Sequence, residues 1–309
     1  MKNLPLICPL CFSKIYKKEY ILLCKNVDCF HSLKENGFKY CDDVPVLVSP
    51  KLDSVCNPDE INSYIGRRSN TVSKIKKLLT GESNVTKKNC EKFIFETKKI
   101  AKRPRVLIIG SGEEGNGTTN LWGSKDLEIH GLDVYISNTV DILADAHYLP
   151  LENNYYDGVW IQAVLEHVIE PTKVVSEIYR VLKSKGLIYA ETPFMQQVHE
   201  GAYDFTRYTV LGHRYLFRKF QAISYGGNKG SEVVLSWSLK YFVWSISRSK
   251  FLSQLVGLVS RLVMKPFGFL VSKASLYDSP SGVYFFGFKD ENYSISHKEL
   301  IKLYKGNMH

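Results

Sequence analysis

The sequence predicts an α/β protein: a mainly parallel sheet with helices on both faces, a small cysteine-bearing module before it, and a helical insert before the last strand. Three observations carry this. From Arg105 onward, short apolar runs alternate with a helical pattern. Five of the seven cysteines fall within the first 41 residues, and residues 231–275 are apolar yet repeatedly interrupted by charge. Strand–helix alternation implies a sheet covered on both faces, and 309 residues suffice for one sizeable domain plus a smaller one.

Residues 1–50 hold the cysteine module and end in VPVLVSP, a short apolar strand closed by Pro50. Residues 51–104 read as a basic helical linker, with helices expected around INSYIGRRSNTVSKIKKLL and NCEKFIFETKKIA. The main domain takes residues 105–309. Its strands are expected at RVLIIG, LEIHGLD, VDILAD, YDGVWIQ and GLIYAETP. The clearest helix is PTKVVSEIYRVLKSKG, with Pro171 in its first turn and Gly186 just past its last. Val174, Val175, Ile178, Val181 and Leu182 share one stripe of it.

The insert, about 231–275, contains no apolar run near the roughly 20 residues that span a bilayer. Within it Leu252, Leu255, Val256, Val259, Leu262 and Val263 share a helical face opposite Gln254, Arg261 and Lys265. Such a face packs on a core or lies on a membrane surface. The chain then returns to a strand, GVYFFGFK.

The net charge of +10 is uneven: +8 falls in residues 51–105, whereas residues 106–230 sum to −5. Nucleic-acid enzymes concentrate positive charge around the site itself. The linker therefore reads as a solvated basic segment, or as a contact for nucleic acid or an anionic membrane. MKNLPLICPLCFSK has no apolar core of signal-peptide length, and an odd cysteine count argues for reduced thiols. The expected location is cytoplasmic, peripheral at the inner face of the membrane if the insert lies on lipid.

The stretch RVLIIGSGEEGNG is a strand feeding a glycine loop. Gly110, Gly112 and Gly115 meet the dinucleotide pattern G-x-G-x-x-G, and Asp133 ends the next strand. Glu113 and Glu114, however, would sit where a pyrophosphate lies, a penalty that a cationic cofactor avoids. Downstream stand Asp145-Ala146, Leu149-Pro150-Leu151, Tyr156-Asp157-Gly158-Val159, Leu165-Glu166-His167-Val168 and Leu182-Lys183-Ser184-Lys185-Gly186. This series resembles the class I S-adenosylmethionine-dependent methyltransferases, type 11 group, over roughly residues 104–195.

The resemblance implies a Rossmann-like sheet and S-adenosylmethionine as cofactor. It implies that Gly110, Ser111 and Gly112 pass under the methionyl part, that Asp133 accepts from the ribose hydroxyls, and that Asp145 with the Ala146 backbone reads the adenine edge. Gln162 would line the cleft. Asp133 and Asp145 also suit turn or capping roles. Glu166 and His167, just past a strand, read as capping and packing residues, and His147 as a packing residue. One departure stands out: the family has an acidic residue two positions before the first glycine, where this chain has Ile108.

Cys8, Cys11, Cys24 and Cys29 are spaced C-x2-C and C-x4-C, as two facing pairs that bind zinc tetrahedrally would be. His31 is a candidate substitute for the looser second pair. The run through FKYCDDVPVLVSP resembles a small zinc-ribbon family that includes activator subunits of RNA and release-factor methyltransferases. Asp43 and Val44 stand where D-G or G-I would be. The resemblance implies structural Zn2+; a ribbon that keeps its fold without metal is the alternative.

After the fifth strand, TPFMQQVHEGAYDFTRYTVLGHRYLF resembles a stretch of methyltransferases of surface-polysaccharide and other glycan pathways, matching at Pro193, Phe194, His199, Asp204, Phe205, Arg207 and Thr209. It implies His199 as a base, with Asp204 and Arg207 orienting the acceptor or each other. Three function classes follow. The first is O-methylation of a sugar or surface-glycan intermediate, a small-molecule or lipid-borne acceptor for which the insert would supply membrane contact. The second is RNA methylation, suggested by the ribbon and the basic linker. The third is a non-catalytic binding protein.

Overall fold

The structure is a computed structural model that describes residues 4–56 and 83–307. The helix expected around residues 61–79 lies outside the described residues. Two compact units divide the chain. One comprises the described residues up to Gln162 with Glu170–Ile188, and the other Ala163–Ile169 with the residues from Tyr189 on.

The first unit begins with the ribbon. Strands β1 (Ile15–Lys18) and β2 (Ile21–Cys24) form an antiparallel hairpin, with Ile15 opposite Cys24. Strands β3 (Tyr40–Cys41) and β4 (Val44–Pro45) form a second, joined by Asp42 and Asp43 at φ 47° and 64°. A two-residue hairpin turn of that kind favours glycine or Asn/Asp, so Asp43 takes over the backbone position that glycine holds in the family pattern. The ribbon is tied to the rest of the first unit: Ile7 N donates to Pro150 O at 2.9 Å, and Leu47 N to Leu143 O at 2.7 Å. Val46 and Val48 pack with Val140 and Leu143 in one buried cluster.

Helix α1 (Asn84–Lys98) starts at Ser83, whose side chain accepts from Thr86 N. It buries Cys90 and Phe93 completely. Phe93 meets Trp160 edge-on at 5.4 Å and stands where a side chain on Gly158 would need to go. Most of the second helix expected in the linker is thus part of the first unit's core.

Strand β5 (Arg105–Ile109) is followed by a short helix α2 (Thr119–Trp122), then β6 (Glu128–Asp133), β7 (Ile142–Leu143) and β8 (Tyr156–Gln162). Helix α3 (Pro171–Val181) buries the expected stripe of Val174, Val175, Ile178 and Val181. It stops five residues short of Gly186. Leu182 is already extended and opens β9 (Leu182–Pro193), and Lys185 takes φ 63°. Within this unit the strands run β7-β6-β5-β8-β9, and β5 pairs in parallel with both β6 and β8. The strand order therefore reverses between β5 and β8, the kind of switch point at which open α/β sheets bind ligands.

In the second unit the end of β9 neighbours β11 (Gly282–Lys289), which pairs antiparallel with β10 (Phe220–Gly227). Helix α4 (Val210–Leu216) precedes β10, capped by Thr209. Seven strands thus make a Rossmann-like, mainly parallel sheet. Between β10 and β11 lies the insert, with helices α5 (Ser231–Ser247), α6 (Lys250–Met264) and α7 (Ser275–Asp278). Gly257 lets α6 approach Lys240 of α5 closely. The predicted apolar face of α6 remains open: Leu252, Leu255, Val259, Leu262 and Val263 are all exposed, as are Phe242 and Ile246 of α5. Among the described residues no helix is long and apolar enough to cross a membrane. Near the chain's end, α8 (His297–Ile301) carries a capping box of Ser296 and Glu299.

Candidate functional site

At the switch point the carboxyl ends of β5 and β8 and the loop after β5 line a cleft. Its walls are Ile108, Ile109, Gly110, Glu113, Gly115, Thr118, Trp122, Trp160 and Gln162. Gly110 turns the chain out of β5 at φ 79°. Gly112 cannot carry a side chain, because a Cβ would lie 2.3 Å from the Tyr135 ring and 2.9 Å from Asp133 Oδ2. Ser111 is fully buried behind the loop, where its hydroxyl lies against Gly131. Its backbone N–H donates to Leu132 O at 3.2 Å and its carbonyl accepts from Thr139 Oγ1 at 2.6 Å, so Ser111 shapes the loop from behind.

Asp133 holds the loop in place. Its Oδ2 accepts from Gly112 N and its Oδ1 from Val134 N, both at 2.7 Å. Burial pushes its pKa up to about 6 and the Glu113 charge adds to the rise, while the backbone N–H groups of Gly112, Val134 and Tyr135 pull the other way. Three N–H groups leave the carboxylate one lone pair for a further donor. Gln162 fixes the opposite wall: its Nε2 donates to Asn116 O at 3.2 Å, and its Oε1 lies 2.4 Å from where a Cβ on Gly115 would stand.

Asp145 caps the short 3-10 turn Ala146–Tyr148, accepting from His147 N at 2.9 Å. His147 Nε2 accepts from Glu170 N, so its proton sits on Nδ1 and is donated to Asp145 Oδ1 at 2.6 Å. His147 is the packing residue expected. Ser54 donates to the other oxygen, Oδ2. Burial opposes ionisation of Asp145, but the hydrogen bonds from His147 and Ser54 hold its pKa below the ordinary value. Cys56 lies nearby; burial and the charges of Asp145 and Asp133 push its thiol up to about 12. The sequence reading missed Ser54 and Cys56, which lie far from Asp145 in the chain, and also the cleft residues Trp122 and Trp160.

In the ribbon, the sulfurs of Cys8, Cys11, Cys24 and Cys29 all lie within 4.8 Å of one another, with Cys11–Cys24 at 3.3 Å and Cys8–Cys29 at 3.7 Å. Tetrahedral zinc with Zn–S bonds of about 2.3 Å needs sulfurs about 3.8 Å apart, so the donor set fits. His31 is no substitute ligand. Its Nδ1 bonds Asn36 O at 2.6 Å, its Nε2 bonds Ser49 Oγ at 2.7 Å, and its ring stacks on Phe38. Both ring nitrogens are used, which corrects that expectation. Cys41 does not join the four.

The acceptor-side residues lie in the second unit. Arg207 grips Asp204 with two guanidinium nitrogens, NH2 to Oδ2 at 2.7 Å and NH1 to Oδ1, and ties it to the loop through Gln196 O. That pairing holds the Asp204 carboxyl far below the usual carboxylate range. Asp204 Oδ2 in turn accepts from His199 N at 2.9 Å and lies 3.2 Å from His199 Nδ1. Burial, and then His167, lower the His199 pKa, which favours the neutral ring. Asp204 and Arg207 therefore orient each other, and through Asp204 they orient His199.

Two residues read from sequence as caps stand in the same place. Glu166 is 1% exposed, and among the described residues neither carboxylate oxygen has a hydrogen-bond partner. His167 Nε2 is 3.7 Å and His199 Nε2 4.0 Å from Glu166 Oε1. Burial pushes Glu166 up to about 8. The signal available in sequence was the Glu166-His167 pair directly after a strand's carboxyl end, with a lone histidine after the next strand.

Comparison with known proteins agrees with the glycine loop and its motifs. Residues 109–190 match a family model described as "Methyltransferase domain", so this stretch is a methyltransferase domain of the type 11 group. A ubiquinone/menaquinone biosynthesis C-methyltransferase, UbiE, from Neisseria meningitidis is 37% identical over 70 residues, which is 22% of this chain and 29% of that protein. The chain thus matches under a third of that relative's length. Among solved structures, a phosphoethanolamine N-methyltransferase 2 from Haemonchus contortus is similar over 75% of this chain and 59% of that one, at 18% identity and TM-score 0.44. The complex of a Haloferax volcanii Trm112 activator with a methyltransferase gives 68%, 95%, 17% and 0.41 in the same order.

Proposed function

We propose that this chain is an S-adenosylmethionine-dependent methyltransferase that methylates a hydroxyl of a sugar or surface-glycan intermediate. The observation that carries the cofactor reading is the cleft at the β5/β8 switch point, whose loop is bound to the carboxylate of Asp133. The residues there fit the group. Gly112 lets the loop close on Tyr135 and Asp133, where a Cβ would clash, Asp133 keeps a lone pair for a ribose hydroxyl, and Glu113 lines the cleft with negative charge suited to a cationic ligand. When bound, the cofactor supplies an electrophilic methyl group on a sulfonium. Gln162 and Trp160 would close the cleft beside it, and Asp145 would face its adenine.

Methyl transfer is an in-line displacement in which positioning carries much of the acceleration. A hydroxyl acceptor also needs to lose its proton. His199 suits that role, because its Nδ1 lies 3.2 Å from the Asp204 carboxylate, which favours the proton on that nitrogen and a lone pair on Nε2. A lipid-borne acceptor is supported by the open apolar faces of α5 and α6, which would also provide peripheral membrane contact. RNA is disfavoured by the acidic balance of residues 106–230. We further propose that Cys8, Cys11, Cys24 and Cys29 hold structural Zn2+.

The test is calorimetric titration of the zinc-replete protein with S-adenosylmethionine, repeated on Gly112→Ala. Micromolar binding, weakened at least about a hundredfold in the variant, supports the reading; this corresponds to about 2.7 kcal/mol. A folded wild-type protein that binds no cofactor overturns it.

A further inference from the structure

Three ligand atoms converge in the second unit, two imidazole nitrogens and a carboxyl oxygen. His167 Nδ1 lies 2.6 Å from Tyr203 O, a carbonyl that can only accept, so the ring proton is on Nδ1 and Nε2 carries a lone pair. His199 Nδ1 faces Asp204, a carboxylate kept ionised by Arg207, so its Nε2 also carries a lone pair. Both Nε2 atoms lie within 4.0 Å of Glu166 Oε1, and among the described residues that buried carboxyl has no hydrogen-bond partner. A buried carboxylate in that state stays ionised only where a cation answers it, and otherwise holds a proton.

From this geometry we propose that Glu166, His167 and His199 bind a divalent first-row transition-metal ion. The three ligand atoms lie within 4.8 Å of one another. With bonds of about 2.1 Å a tetrahedral site needs them about 3.4 Å apart, so the observed 3.7 and 4.0 Å close by roughly half an ångström on binding. The outer contacts are those that metal-bound histidines make, one ring N–H to a backbone carbonyl and the other to a carboxylate. Two imidazoles and one carboxylate leave coordination positions open, and the side chains of His167 and His199 are 22% and 26% exposed, so solvent-borne oxygen ligands can reach the ion.

The open position takes a hydroxyl oxygen. This part rests on the methyltransferase reading. The bound hydroxyl loses its proton to solvent, its O–CH3 bond forms as the cofactor's S–CH3 bond breaks, and the electron pair of that bond stays on sulfur to give a neutral thioether. In the metal-loaded protein His199 Nε2 is a ligand and takes no proton. The site thereby narrows the acceptor class to compounds presenting a hydroxyl, or adjacent hydroxyls, to a cation.

The experiment is titration of the full-length, zinc-replete chain with Co2+, read by visible absorption. The proposal expects one equivalent beyond the zinc, with weak d–d bands and no thiolate-to-metal charge transfer. Glu166→Gln and His167→Gln should each weaken that binding by about a hundredfold or more while zinc content is retained. Absence of the additional equivalent in wild type overturns the proposal, as does a spectrum with thiolate bands only, or full retention in both folded variants. The wild-type spectrum decides the matter even where a variant fails to fold. Calorimetry with S-adenosylmethionine alone separates the two readings: cobalt binding without cofactor binding sinks the methyltransferase assignment and leaves the metal site standing, and the reverse result sinks only the metal site.

Discussion

Asp133 and Glu166 are acidic side chains buried to a similar depth, at 7% and 1% exposure, yet their surroundings treat them in opposite ways. Asp133 receives two backbone N–H groups at 2.7 Å, both from segments that adjoin the cleft. Among the described residues the Glu166 carboxyl receives none from another residue. The pKa values follow: burial raises both, to about 6 at Asp133, where three backbone N–H groups counter it, and to about 8 at Glu166, where its own backbone N–H and the Arg207 charge counter it less. A satisfied carboxylate shapes a loop before any ligand arrives. An unsatisfied one waits for a partner that the chain itself does not supply. The first arrangement suits a cofactor held by many contacts, and the second suits an ion.

Replacing each acid by its amide tests that contrast most strongly. Asp133→Asn sets an NH2 group against a backbone N–H donor, leaving one donor unmatched. Cofactor affinity should fall by about a hundredfold, the scale of one or two charge-assisted hydrogen bonds. Glu166→Gln removes no hydrogen bond within the protein, so the melting temperature of the metal-free chain should not fall. Were Glu166→Gln the more damaging to metal-free stability, the carboxylate would have a partner and the contrast would collapse.

A smaller effect concerns pH. The raised pKa of Asp133 means that below about 6 the free site is protonated, and ribose hydroxyls then meet a carboxyl that must first release its proton. Cofactor affinity should drop about tenfold between pH 7.5 and pH 5, about one decade per unit below the pKa. For stability of the ligand-free protein the sign is opposite. An acid whose pKa is raised on folding costs stability as pH climbs from its ordinary value of 3.8 through about 6. Isothermal titration at the two pH values, alongside Asp133→Asn, reads the first effect. A flat profile in wild type would mean that the ribose does not bind at Asp133.

How much of this was legible depends on how local the cause is. Strands β8 and β11 coincide with the runs YDGVWIQ and GVYFFGFK, because an apolar stretch bounded by turn residues determines its own conformation. The end of α3 was misplaced because Leu182 and Lys183 continue the helical pattern, whereas sheet pairing claims them for β9. The four cysteines were readable from spacing alone. Excluding His31 required Asn36 O and Ser49 Oγ, which only folding brings to its ring. Glu166 was read as a cap because nothing next to it in sequence shows that its side chain ends in a dry pocket. Its carbonyl is bound by Phe205 N and Thr206 N, from a loop well down the chain, and that pairing fixes where the side chain goes.

Ser54 offers the finest test of the same contrast, because it lies between the two cases. Asp145 is satisfied by the chain, like Asp133, but one of its donors comes from the segment just after the ribbon and not from the cleft's own loops. A cofactor adenine that reads Asp145 must share Oδ2 with the Ser54 hydroxyl or displace it. Ser54→Ala removes that competitor and leaves the two His147 hydrogen bonds on Oδ1 in place. One neutral hydrogen bond is worth about 0.5–1.5 kcal/mol, so cofactor affinity should rise by about two- to tenfold. Calorimetry on the single variant suffices. A loss of affinity would show that Ser54 holds Asp145 in its binding orientation, making the segment after the ribbon part of the cofactor site and not a rival for it.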